Sequence, residues 1–67
     1  MDPNAVLDAL QWEYEEGDFE SAAEYLYSLK VWLSRGGFPP ARWAGKSPEE
    51  IQSYLARWDD RLSEYAS

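Results

Sequence analysis

The chain has 67 residues, with 13 acidic and 6 basic side chains and a net charge of −7. It has no cysteine and no histidine, which excludes a disulfide framework, a thiolate zinc site and a histidine general base. Hydrophobic residues make up 45% of the chain and aromatic residues 16%, too many for a disordered segment, while the acidic balance disfavours a direct nucleic-acid partner. We therefore expect one small folded domain over residues 1–67.

The chain shows no signal for a membrane or for secretion. Its apolar runs are much shorter than the roughly 20 residues of a transmembrane helix. Residues 1–4 have neither the basic nor the apolar region of a signal peptide. We expect a cytoplasmic protein with no membrane partner.

The first predicted helix spans residues 3–16. Pro3 suits the first helical position, where its missing N–H costs no hydrogen bond. Apolar residues recur at spacings of 4, 3 and 4, which places them on one side of a helix. They are Pro3, Leu7, Leu10 and Tyr14. Gly17 then permits the left-handed conformation that ends many helices.

The second predicted helix spans residues 19–35. Asp18 can cap its first turn through the carboxylate, and Gly36 and Gly37 end it. Spacings of 3, 4, 3 and 4 again define one apolar side. Its members are Phe19, Ala22, Leu26, Leu29 and Leu33.

An irregular loop over residues 36–46 follows, because two prolines and three glycines exclude a continuous helix. Phe38 and Trp43 are unusual in a linker, and we expect them to fold back on the helices and anchor the loop. Ser47-Pro48-Glu49-Glu50 then forms a capping box, in which Ser47 caps the helix and Glu50 reaches back.

The third predicted helix spans residues 48–66, with apolar residues at spacings of 4, 3, 4 and 3. They are Ile51, Leu55, Trp58, Leu62 and Tyr65. Three apolar stripes on three helices predict an all-α domain with one core. Its architecture is an antiparallel helical hairpin, then a Gly/Pro-rich aromatic loop and a third helix.

The corner between the first two helices, Glu16-Gly17-Asp18-Phe19-Glu20-Ser21-Ala22, resembles the Gly-Asp-Tyr-Glu-x-Ala turn inside a tetratricopeptide repeat. The motif occurs once, and Val6, Ala9, Leu10 and Glu13 differ from the residues that the repeat prefers upstream. We interpret the resemblance as support for an antiparallel hairpin. The whole chain also resembles small phage or mobile-element helical proteins that are short, acidic and rich in tryptophan. Small phage proteins of this kind block nucleic-acid-binding enzymes, so the likeness implies a DNA mimic as one option and is compatible with a phage-derived inhibitor or adaptor of a host protein.

Trp12 is the strongest functional candidate. At 100° per residue it points almost opposite the Leu7–Leu10–Tyr14 stripe, on the side of Ala5 and Ala9. Tryptophan is enriched at interface hot spots. Three alternatives remain open: cover by the loop, pairing with a second copy, or binding to a foreign partner.

Tyr27 and Val31 form a second pair outside the apolar stripe, on the side of the second helix that carries Glu20 and Glu24. Two partly exposed residues are common on protein surfaces. The alternative interpretation is that they extend the Trp12 surface.

Charge is strongly segregated along the chain. Residues 1–24 contain eight acidic side chains and no basic one, while residues 25–48 contain four basic side chains and no acidic one. The two zones can attract each other within the fold, or the acidic zone can attract a basic partner. An acidic face can also imitate the phosphates of DNA.

We expect no enzyme activity and no cofactor. Glu13, Glu16 and Glu20 can share a face at the helix corner, but they have no His, Cys or Lys neighbour and no EF-hand spacing, so we expect no metal site. The first functional hypothesis is a small acidic protein–protein interaction module, and the alternatives are a structural homodimer and a DNA-mimic inhibitor. The candidate partner-binding residues are Trp12, Glu13, Glu16, Glu20, Tyr27 and Val31.

Overall fold

The structure is a computed structural model that describes residues 1–65. It contains three α-helices, α1 (Pro3–Glu15), α2 (Phe19–Ser34) and α3 (Pro48–Arg61), and a short 3₁₀ turn at Ala41–Trp43. Residues 1–65 include no β-strand. The predicted all-α architecture is confirmed, and the bounds of the first two helices agree with the predicted ones to within one residue.

The corner between α1 and α2 is closed by local hydrogen bonds. Gly17 adopts a φ of 85°, and the N–H groups of Gly17 and Asp18 donate to the carbonyls of Tyr14 and Glu13 at 3.2 and 2.9 Å. These two bonds make a Schellman motif. Asp18 then caps α2 by accepting the N–H of Ser21 at 3.1 Å. Because the backbone N–H of Asp18 closes the end of α1 and its carboxylate caps α2, the chain reverses within a few residues.

The end of α2 is built around the indole of Trp32. Gly36 has a φ of 85°, and the N–H of Gly37 donates to the Trp32 carbonyl at 3.0 Å. The Trp32 Nε1–H donates to the carbonyl of Phe38 at 2.8 Å. Gly37 therefore lies flat against the ring, where a Cβ would come within 2.3 Å of a ring carbon.

All three helices and the loop contribute to one hydrophobic core. α1 and α2 pack closely along the hairpin, whereas α3 packs on α2 less extensively. The buried apolar residues are Leu7, Leu10, Ala22, Ala23, Leu26, Leu29, Trp43, Leu55, Trp58 and Leu62.

The two loop aromatics have different environments. Trp43 is 8% exposed and its ring lies 5.4 Å from that of Tyr54, so it anchors the loop as predicted. Phe38 meets the edge of Trp32 at 5.5 Å but remains 60% exposed. Its backbone carbonyl, held by Trp32, and the buried Pro40 fix this part of the loop.

The third helix is shorter than predicted. Ser47 caps it by accepting the N–H of Glu50 at 3.1 Å, but within residues 1–65 the Glu50 carboxylate makes no return hydrogen bond to Ser47, so only half of the capping box forms. The helix ends at Arg61, after which the N–H of Leu62 is shared between the carbonyls of residues 58 and 59. Leu62 stays buried in the turn that follows. The apolar spacing therefore continues past the helix end, which is why it predicted a longer helix. The predicted last residue, Ala66, lies outside the described residues.

Aromatic contacts attach α3 to the corner of the hairpin. Tyr14 lies edge-on to Trp58, with ring centroids 5.3 Å apart, and also contacts Phe19 at 5.4 Å. The Arg61 guanidinium lies 4.9 Å above the Trp58 ring. Pairs of this kind contribute about 0.5–1.5 kcal/mol each beyond area burial.

The close approach of Gly37 to Trp32 predicts a specific cost for Gly37→Ala. The added methyl group overlaps the indole, so we expect a loss of about 1–3 kcal/mol in the free energy of unfolding. In a Trp32→Ala background the same substitution is expected to cost less than about 0.5 kcal/mol. Urea denaturation of the four proteins measures both costs.

Gly17→Ala is the matched control, because Gly17 has open space around it and only its positive φ resists a side chain. Its cost, about 1–2 kcal/mol, is expected to be the same with and without Trp32. An equal cost of Gly37→Ala in both backgrounds would contradict the packing assigned to Trp32.

Candidate interaction surface

Trp12 projects away from the core. Leu7 and Leu10 of the same helix are 2% and 0% exposed, and their burial fixes the rotation of α1. Trp12 lies on the opposite side and is 62% exposed. The predicted outward direction is confirmed, and the loop does not cover the ring.

The loop instead lies along one flank of α1. The N–H of Ala41 donates to Oδ1 of Asn4. One Arg42 Nη donates to Asp8 Oδ1 at 2.6 Å, and the other donates to Gln11. Asn4, Asp8 and Gln11 follow one another at spacings of 4 and 3, which is one side of the helix. Arg42 of the loop thus pairs with Asp8 of the acidic residues 1–24, as the charge segregation allowed. This pairing lies on the flank of α1 that faces the loop.

The remaining exposed side of α1, here called the outer face, carries Ala5, Ala9, Trp12 and Glu16. Glu15 continues the row of Asn4, Asp8 and Gln11 on the neighbouring flank, where it lines a groove together with Arg61. Ala5 is exposed and Ala9 is half-buried. Glu15 and Glu16 are exposed and follow Trp12 by three and four residues, so they neighbour its ring on the helix surface. Glu15 is absent from the candidate partner-binding residues above, although its spacing of three from Trp12 is visible in the sequence. The outer face is therefore one aromatic ring beside small residues and the Glu16 carboxylate.

The pKa values of Asp18 and Glu13, two carboxyl groups at the hairpin corner, are shifted in opposite directions. The backbone N–H and hydroxyl of Ser21 both donate to Asp18, and these bonds hold the pKa of Asp18 below its ordinary value. Desolvation, then the neighbouring Asp18 carboxyl and the charge of Glu16, raise the pKa of Glu13. Asp18 is thus held as a carboxylate by its capping role, while Glu13 is pushed towards its neutral form.

Two of the three glutamates expected to share a corner face are neighbours. Glu13 lies beside Asp18, and Glu16 is close enough for its charge to raise the pKa of Glu13. Glu20 lies apart from them and borders a groove between α2 and α3. Among residues 1–65, no group of three or more potential ligand side chains is placed to hold a metal ion.

Tyr27 and Val31 lie on a different side of the molecule from Trp12. Tyr27 is 69% exposed and borders two open grooves between α2 and α3, of about 990 and 400 Å³. Val31 lines the smaller groove together with Leu55 of α3. A salt bridge of 3.0 Å between the exposed side chains of Lys30 and Asp59 joins the two helices at the larger groove. Since Trp12 points away from the core that α2 and α3 share, the two aromatic sites do not form one surface.

Comparison of the chain with known protein families, curated proteins and solved structures finds no match. Within residues 1–65, no helix combines the length and apolar character needed to cross a membrane.

The shifted pKa of Asp18 predicts how Asp18→Asn changes stability with pH. A lowered pKa in the folded state stabilises the fold above the unfolded pKa, and this contribution is lost as the pH falls through the folded pKa. We therefore expect Asp18→Asn to be less stable than the wild type at neutral pH, with the difference closing in the acid range. Urea denaturation at several pH values measures it. Glu24→Gln, which removes an exposed charge without a cap, is the control.

Glu13→Gln is expected to behave with the opposite sign. A raised folded pKa means that the carboxylate opposes folding at neutral pH and that protonation removes this opposition. Glu13→Gln is expected to be more stable than the wild type at neutral pH, with the gain vanishing in acid. A loss of stability at neutral pH would contradict the arrangement described for Glu13 and Asp18.

Proposed function

We propose that this protein is a small acidic interaction module that binds another protein through the outer face of α1 and performs no chemistry itself. Its role is that of an adaptor or inhibitor of a host protein, and a phage origin is compatible with that role.

The observation that carries the proposal is the exposure of Trp12. Full burial of an aromatic side chain contributes roughly 1.5–3 kcal/mol of transfer free energy, and this chain leaves the ring 62% exposed. The loop passes beside it and bonds to Asp8 and Gln11, so no later part of residues 1–65 shields the ring. An exposed tryptophan on a regular helix is well suited to anchor a partner, because few rotamers are lost on binding.

A structural homodimer is the second candidate, and the small residues of the outer face favour it. In an antiparallel pair of α1 helices, Trp12 of one copy faces the space above Ala5 and Ala9 of the other. Such a contact is self-complementary about a two-fold axis. The interaction module and the homodimer would both use the outer face, and they differ in whether the partner is a foreign protein or a second copy.

Mimicry of DNA receives less support. Its binding should depend on a row of carboxylates and fall steeply with salt. The acids of residues 1–24 are divided instead among the outer face, the corner, the groove and the Asp8–Arg42 pair. Binding that is lost in Trp12→Ala would exclude it, because the affinity of a mimic depends on its row of carboxylates and not on one aromatic ring.

Photo-crosslinking from the outer face tests the proposal. We expect a photoreactive residue at position 5, on the outer face, to capture a partner in cells that express the protein, and the same residue at position 28, on exposed α2, to capture none. With the captured partner purified, Trp12→Ala is expected to raise Kd by about thirtyfold, as for an interface hot spot. Tyr27→Ala, which truncates an equally exposed aromatic, is expected to raise it less than about twofold.

A crosslinked product of twice the chain's mass, lost in Trp12→Ala, would select the homodimer. A partner that is captured from position 28, or that binds Trp12→Ala as tightly as the wild type, would contradict the proposal. Circular dichroism of Trp12→Ala is expected to match that of the wild type, because the ring makes little contact with the core.

A further inference from the structure

The carboxylates beside Trp12 differ in whether they are already paired. Asp8 is bound by Arg42 at 2.6 Å. Within residues 1–65, neither Glu15 nor Glu16 forms an ion pair, and both are exposed. Trp12 therefore has two free negative charges one helical turn away, on the side towards the hairpin corner.

An aromatic ring next to free carboxylates is complementary to a cationic side chain. A guanidinium attracts the face of a tryptophan ring, and its planar fork bonds carboxylates with well-defined geometry. Arg61 shows the first of these interactions within the fold, where its guanidinium lies 4.9 Å above Trp58. Trp12 offers the same ring type beside carboxylates. Among residues 1–65 neither Glu15 nor Glu16 is ion-paired, although Arg61 lines the groove that Glu15 borders.

The outer face has the shape of a seam for a helix. Ala5, Ala9, Trp12 and Glu16 recur at spacings of 4, 3 and 4, the repeat with which one helix meets another. The seam is about 17 Å long at the rise of an α-helix. Ala5 and Ala9 add little bulk, so a partner backbone can approach α1 closely along its first two turns.

Charge decides between a second copy and a foreign helix. Residues 1–24 contain eight acidic side chains and no basic one. A symmetric pair of α1 helices would bring these like charges together, whereas a basic partner would neutralise Glu15 and Glu16. We propose that the outer face of α1 binds a basic amphipathic helix of a partner protein, with an arginine on Trp12 and its guanidinium within reach of Glu15 and Glu16. This inference rests on the proposed function and specifies the partner's chemistry.

Selection from a displayed library of helical peptides, randomised along one face, tests the inference with the full chain as bait. We expect the selected peptides to be enriched in arginine or lysine on that face. Their binding is expected to weaken about thirtyfold in Trp12→Ala. It is also expected to weaken about tenfold in the Glu15→Gln/Glu16→Gln double variant, and to weaken as salt is raised.

The Glu20→Gln/Glu24→Gln double variant is the matched control, since it removes the same charge from exposed positions of α2. Its affinity for the selected peptides is expected to stay within about twofold of the wild type. Peptides that need Trp12 but carry no basic enrichment, or that respond equally to the two double variants, would overturn the inference and leave the proposed function standing. A second copy captured through the same face would overturn it as well. If no selected peptide depends on Trp12, both proposals fail.

Discussion

The rotation of α1 about its own axis is the constraint on which the surface of the molecule depends. Leu7 and Leu10 are buried against the rest of the core, and Tyr14 is held by Phe19 and Trp58. Turning the helix to hide Trp12 would expose these side chains and break the aromatic contacts. The exposure of the Trp12 ring is thus the consequence of packing Leu7, Leu10 and Tyr14 on the opposite side of α1.

The third helix is attached by few but large side chains. A chain of this size buries only about 60% of its unfolded surface and has little stability to spare. Trp58, Leu55 and Leu62 supply the apolar contacts of this part of the chain. The Lys30–Asp59 pair lies on the surface, where such a bridge contributes about 0–1 kcal/mol. The grooves between α2 and α3 reflect this sparse packing, whereas α1 and α2 form the closely packed part that presents the outer face.

Much of the fold follows from local rules, and the rest depends on contacts distant in sequence. Asp2 caps α1 by accepting the N–H of Asn4 at 3.0 Å. This cap, those of Asp18 and Ser47, and the glycines after α1 and α2 fix the helix starts and two of the ends. The end of α3 is missed because Leu62 keeps the apolar spacing while leaving the helix. The direction of Trp12 follows from the helical period. The bonds of Arg42 to Asp8 and Gln11 join residues more than thirty positions apart, and no short-range pattern encodes them. Tyr27 and Trp12 both lie outside the apolar stripes of their helices, and the position of their surfaces relative to each other follows only from how the helices pack.

The most direct test of the account is the solvent environment of Trp12 in the free protein. The four tryptophans can be labelled with 5-fluorotryptophan and the Trp12 resonance assigned by its loss in Trp12→Phe. Fluorine NMR with a cationic and an anionic nitroxide then reports both exposure and local charge. The account predicts strong broadening of the Trp12 resonance, greater with the cationic nitroxide, and little broadening for Trp43 and Trp58. A Trp12 resonance as protected as that of Trp43, or equally broadened by both nitroxides, would contradict it.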